Sequence, residues 1–136
     1  MSSIGFLIDT DWVIDHFNGI SEVTERLKEL EPRGFALSIV SVAELWEGVH
    51  FSREPARSQT VLEEFLANIS VINIDDEICK RFGHLRGTLR RRGQIVADFD
   101  LLIATSALRH GFTLLTNNRR HYQAISGLRL ESRAIK

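Results

Sequence analysis

The stretch Ile4-Gly5-Phe6-Leu7-Ile8-Asp9-Thr10-Asp11 decides how the rest of the 136-residue chain is read. The apolar run 4–8 stops at an aspartate. It is too short for a helix and suits a strand covered on both faces in a parallel sheet. A polar residue that ends such a strand sits where open α/β sheets take their ligands, just beyond the carboxyl ends of the strands. Asp9 therefore has two readings from the outset, the N-cap of a following helix or a functional carboxylate at a sheet edge.

Working outward, segments 35–39, 70–74 and 112–115 repeat the short apolar pattern, and a last short strand is expected at 128–130. Stretches of helical periodicity fall between them, at 11–18, 21–30, 42–51, 56–67, 75–92 and 99–110. Pro32, Gly34, Gly93, Gly111 and Gly127 punctuate the boundaries. Strands alternating with helices predict an α/β fold with a mostly parallel sheet. The length and the 43% hydrophobic content suit one domain over residues 1–136.

No run approaches the roughly 18 apolar residues of a membrane span. The start also lacks the basic, apolar and small-residue order of a secretory leader, so a cytoplasmic location is expected. The single cysteine, Cys79, has no internal disulfide partner, and beside Ile78 it reads as a small buried apolar residue. A net charge of −1 conceals an asymmetry: residues 1–77 carry 15 acidic and 5 basic side chains, residues 78–136 carry 3 and 12. A bias this large leads one to expect a basic patch for a polyanion, densest at Arg81, Arg86, Arg90, Arg91 and Arg92. A solvated helix face is the plainer alternative.

Four acids stand out. Glu44 shares a helix face with Val40, Gly48 and Phe51, a stripe read as facing the core, where a carboxylate needs a partner; with Glu47 close to the same stripe, a boundary glutamate reaching solvent is the equal alternative. Asp98 and Asp100 open the apolar helix Leu101-Leu102-Ile103-Ala104. Capping by Asp98 and a dipole contact by Asp100 are their simplest roles. Asp100 also lines up with Ile103, Ala104 and Ala107, which sets its carboxylate above a buried stripe. Asp9 completes the set, and Thr116, Asn117 and Asn118 end a strand that would lie at the same sheet edge. Carboxylates that repel one another are reconciled by a hard divalent cation, Mg²⁺ or Mn²⁺.

The segments Leu7-Ile8-Asp9-Thr10, Ser41-Val42-Ala43-Glu44-Leu45, Asp98-Phe99-Asp100-Leu101-Leu102-Ile103-Ala104 and Leu115-Thr116-Asn117-Asn118, in this order, resemble the four motifs of VapC-type PIN domains. The resemblance spans nearly the whole chain, from Ile4 to about Leu130. It implies a three-layer α/β/α sandwich and a Mg²⁺-dependent endoribonuclease, the toxin of a type II toxin–antitoxin pair. Such an enzyme cuts structured RNA, tRNA or rRNA, by metal-activated water and leaves 5′-phosphate and 3′-hydroxyl ends. Asp9 and Asp100 would be metal ligands, with Glu44 and Asp98 completing or orienting the acidic cluster. Thr116 and Asn118 would organise the pocket through hydrogen bonds to Asp9 or to a metal-bound water. His121 stands where many relatives carry an acid, which leaves open whether one or two ions bind. The implied partners are a VapB-like antitoxin and a second copy of the chain. Two apolar faces, Val23, Leu27 and Leu30, then Val61, Leu62, Phe65 and Leu66, either pack the core or line a groove for an antitoxin helix.

Two other classes compete. Asp9-Thr10-Asp11 also resembles the nucleophile motif of haloacid-dehalogenase phosphatases, with Asp9 as nucleophile. That chemistry needs a lysine, and Lys28, Lys80 and Lys136 offer none between Thr116 and a later acidic pair. The third reading is an inactive PIN module that only binds RNA or protein, against which the intact acids argue.

Overall fold

The computed structural model describes residues 5–134; Ile4, read as the start of the first strand, and Lys136 lie outside them. Five strands, β1 (Phe6–Ile8), β2 (Phe35–Ser38), β3 (Ser70–Ile72), β4 (Thr113–Leu115) and β5 (Arg129–Glu131), form one sheet in the order β3-β2-β1-β4-β5. Every neighbouring pair is parallel, not merely most of them. The helices of the described residues are α1 (Thr10–Phe17), α2 (Ser21–Leu30), α3 (Ile39–His50), α4 (Pro55–Ala67), α5 (Asp76–Arg91), α6 (Asp98–His110) and α7 (Arg119–Tyr122), with a 3₁₀ turn at Glu31–Arg33. None is long and apolar enough to cross a membrane.

Alternation along β1 sets up two cores. Leu7 points to one face, where Leu101, Ile103, Ala104, Leu114 and Tyr122 are buried; Phe6 and Ile8 point to the other, with Trp12, Val13, Leu27, Leu37 and Leu62. The sheet is thus sandwiched between helices, the three-layer α/β/α fold expected. From β1 the chain moves outward through β2 to β3, then returns past β1 to β4, so the strand order reverses at β1 and β4. The carboxyl ends of these two strands flank the crevice where such sheets bind ligands.

Capping explains the shifted starts of α1, α3 and α5. The Ser38 hydroxyl accepts from the Val40 N–H at 3.1 Å, so α3 starts at Ile39 rather than at 42 and β2 ends one residue early. Asp75 caps α5 through the Ile78 N–H at 2.8 Å. Asp98 does not cap α6: it is the first helical residue, Ala97 holds the cap position, and no side chain caps it there. The turn α7 had no periodicity long enough to announce it.

Two further readings are corrected, and an open one is decided for α2. Cys79 is exposed, because the buried face of α5 runs through Ile78 and Leu89 and its neighbour points away. Beyond Glu44, the stripe on α3 faces outward, with Gly48 exposed and Phe51 at 85% exposure. Val23, Leu27 and Leu30 belong wholly to the core, and on α4 Leu62 is buried while Val61 is exposed.

Candidate active site

Asp9 follows β1 directly, and its backbone N–H donates to the Leu115 carbonyl at 2.9 Å, the last link between β1 and β4. Both readings of this residue hold at once. Its Oδ1 accepts from the Thr10 N–H at 2.8 Å and caps α1, while the side chain, only 3% exposed, stands in the wall of a cleft. Its Oδ2 accepts from the hydroxyls of Thr116 at 2.8 Å and Tyr122 at 2.9 Å.

The same cleft, about 530 Å³, is lined by Glu44 from α3, Asp98 and Asp100 from α6, Asn118 and His121 from α7 and its cap, and Thr10 and Asp11 from α1. All the acids singled out from the sequence thus meet in one place. Their roles differ. Thr10 donates its hydroxyl to Glu44 Oε1 at 2.7 Å, with Ser41 Oγ 2.9 Å away. Asp100 is held between Tyr122, whose hydroxyl lies 3.3 Å from Oδ1, and His121 Nδ1, 3.0 Å from Oδ2. Asp98 stands at the rim, largely exposed, and pairs with Arg86. Asn118 lines the cleft, and its backbone N–H donates to Thr116 Oγ1 at 3.1 Å, so it fixes the hydroxyl that serves Asp9. Ile14 and Phe99, both about half exposed, give the mouth an apolar edge.

Three members escaped the sequence reading. Tyr122, the chain's single tyrosine, is buried with its hydroxyl between two carboxylates. A buried phenol normally finds a polar partner, but sequence does not say which. Asp11 entered only as half of a phosphatase motif; it accepts the Asn117 N–H at 2.8 Å and so pins the loop after β4. Thr10 carries no signal in the sequence beyond its place after Asp9, yet its hydroxyl reaches Glu44.

Among the described residues no lysine or arginine lines the cleft. Burial pushes the carboxyls of Asp9 and Glu44 above their usual range, and mutual repulsion adds to it, from Asp100 on Asp9 and from Asp9 and Asp100 on Glu44. Burial, with Asp9 close by, pushes Asp11 up from 3.8 to about 7. Burial beside these acids pushes the Tyr122 phenol up as well, which keeps it a donor. Such a crowd of carboxylates calls for a cation. Among the described residues no three His, Cys, Asp or Glu side chains close around a single point as a ready-made cage. An oxygen-rich wall without a cage fits Mg²⁺, which keeps several of its waters and takes one or two protein carboxylates. It does not fit a closed structural zinc site.

Carboxyls that hold protons more tightly folded than unfolded stabilise the fold in acid and lose that contribution as pH rises through the raised values. For Asp11 the window runs from 3.8 to about 7. We expect the thermal stability of the metal-free chain to decline across it relative to Asp11→Asn, and a divalent cation to restore it. His16, whose charged form burial disfavours, acts in the opposite sense, so the difference between the two proteins is the quantity to read. A difference in Tm that stays constant between about pH 4 and pH 8 would show that Asp11 does not titrate there.

Residues 6–126 match the family model described as PIN domain. A tRNA(fMet)-specific endonuclease VapC of Shigella flexneri is 34% identical over 127 residues, covering 93% of this chain and 96% of that one. Among solved structures, VapBC2 from Rickettsia felis bound to a DNA fragment from its promoter superposes with a TM-score of 0.90 at 28% identity, over 96% of this chain and 100% of that one. DNA-bound VapBC from Salmonella typhimurium gives 0.88 at 29% identity, over 96% and 98%.

Proposed function

The chain belongs to the PIN-domain family and is a VapC-type ribonuclease, and from that premise we propose that it is a Mg²⁺-dependent endoribonuclease, the cytoplasmic toxin of a VapBC-type pair, acting on structured RNA. The observation that carries the metal reading is the cleft itself: Asp9, Glu44 and Asp100 line it together, and among the described residues no lysine or arginine lines it to balance them. The phosphatase alternative falls with the family assignment, and neither Lys28 nor Lys80 lines the cleft. The name of the Shigella flexneri relative supports a tRNA as substrate, with rRNA as the other structured candidate.

Asp9 and Asp100 would hold the ion, with Glu44 beside them. When bound, Mg²⁺ supplies the Lewis acidity that lets water displace the 3′-oxygen in line. The chain's own residues prepare that reaction. Thr116 and Tyr122 fix Asp9 in one rotamer, Thr10 fixes Glu44, and His121 and Tyr122 orient Asp100 from either side. Asp98 serves the rim, where it holds Arg86 against the start of α6. Water adds across the P–O3′ bond, which leaves a 5′-phosphate and a 3′-hydroxyl.

A VapB-like antitoxin is the proposed partner, and a homodimer the proposed assembly. The expected apolar groove lies elsewhere than α2. It runs between α1, α3 and α4, lined by Ile14, Phe17, Leu45, Val49, Val61 and Leu62, and it shares Ile14 and Glu44 with the acidic cleft. An apolar segment of the antitoxin seated there would reach the carboxylates directly.

Incubation of the purified chain with tRNA tests the reading. Cleavage should require Mg²⁺ or Mn²⁺, stop on chelation and yield 5′-phosphate ends. Equal cutting in excess chelator would remove the metal, and no cutting under any ion would leave the inactive-module reading.

A further inference from the structure

Next to the acidic cleft lies a second cavity, of about 440 Å³, lined by Asn117, Asn118, Arg119, Arg120 and His121. Asn118 and His121 belong to both, so the two share a wall. Across that wall the charge reverses, because among the described residues two arginines and no carboxylate line the second cavity. Among the described residues Arg26, Arg57, Arg86 and Arg133 are paired with carboxylates, whereas Arg119 and Arg120 pair with none. Arg119 is nevertheless held in place. Its Nη1 donates to Ser132 Oγ at 3.0 Å, and that hydroxyl donates to the carbonyl of Thr116, the residue that serves Asp9. Arg90, Arg91 and Arg92, the denser run, line neither cavity.

A cleft walled by carboxylates repels a polyanion everywhere except at its cation. The strand must therefore be held by its neighbouring phosphates, and arginine is the side chain suited to that contact. Resting on the ribonuclease reading, we propose that this cavity is a phosphate subsite, in which Arg119 and Arg120 hold a phosphodiester of the RNA adjacent to the one cleaved. The contact is independent of base identity. It makes a flanking phosphate part of the minimal substrate, and it sets the direction in which the strand leaves the acidic cleft.

The test uses the full chain and a fluorescent RNA stem-loop that it cuts, with methylphosphonate, a neutral linkage, placed at one position at a time around the cleavage point. For R119A/R120A we expect KM to rise roughly tenfold with kcat within about twofold, and the slope of log affinity against log salt to become shallower by about 0.7 to 0.9, the contribution of one phosphate. Mn²⁺ affinity should not change. In the wild type one linkage next to the cleaved one should lose affinity when neutralised, and in R119A/R120A that linkage should become indifferent. R90A/R91A/R92A should keep the wild-type response at it. An unchanged KM and salt slope in R119A/R120A overturns the subsite, as does an equal methylphosphonate loss in both proteins. So does a loss confined to antitoxin binding. A wild type that neither binds nor cuts RNA overturns the ribonuclease reading itself, which keeps the two failures apart.

Discussion

Asp9→Asn should abolish Mg²⁺-dependent cleavage while leaving the metal-free protein at least as stable as the wild type. Asn can still accept the Thr10 N–H that caps α1, and the hydroxyls of Thr116 and Tyr122 can turn to meet its amide, so the local frame survives. What disappears is a charge held in a desolvated, carboxylate-crowded place, where burial alone raises its pKa. Near pH 8 the neutral variant should melt no lower than the wild type, and higher if Asp9 is ionised there. Asp100→Asn removes the facing carboxylate and should likewise abolish cleavage. For both, the loss in rate should exceed the roughly 10 to 100-fold that follows removal of a partner behind a metal ligand. Calorimetric Mn²⁺ titration beside the cleavage assay checks it. Wild-type cutting by either variant would show that the ion does not depend on these two side chains.

Tyr122→Phe is the second large effect. It deletes one oxygen from a buried position between Asp9 and Asp100 and leaves the ring, and so the packing against the core, in place. Asp9 then loses one of the three donors that hold its charge. We expect cleavage to fall about 10 to 100-fold, as for other groups that orient a ligand. The hydroxyl holds the Asp9 carboxyl down against burial, so its removal should move the acid limb of the pH–rate profile to higher pH. A purely structural tyrosine would lower Tm without moving that limb.

Much of the fold could be read because its signals are local. A three-residue strand such as β1 is buried on both faces, so its apolar run is unbroken, and each helix carries a period that a reader can count. The acids could be read for a related reason: Asp9 ends a strand and Asp100 sits over the buried stripe of Ile103 and Ala107. What remained hidden depends on distance in the sequence. Tyr122 meets Asp9 across 113 residues and Asp11 meets Asn117 across 106, and no spacing rule reports such pairs. The Glu44 stripe was misjudged because periodicity gives a face without saying what covers it. Gly48 and Phe51 share that face with Glu44, yet past the cleft they meet solvent.

The last strand bears on when the protein can become active. Glu131 in β5 is gripped by both Nε and Nη2 of Arg26, at 2.8 and 3.0 Å, and its carbonyl receives the Thr116 N–H. Ser132 and the Arg133 N–H hold Thr116 and Asn117 in turn. A chain emerging from the ribosome amino end first exposes Asp9 early, but the loop that fixes it stays unsupported until residue 133 is out. Catalytic competence is thus ordered in time. A ribonuclease still tethered to the ribosome therefore has an incomplete centre until the strand that braces this loop has been made.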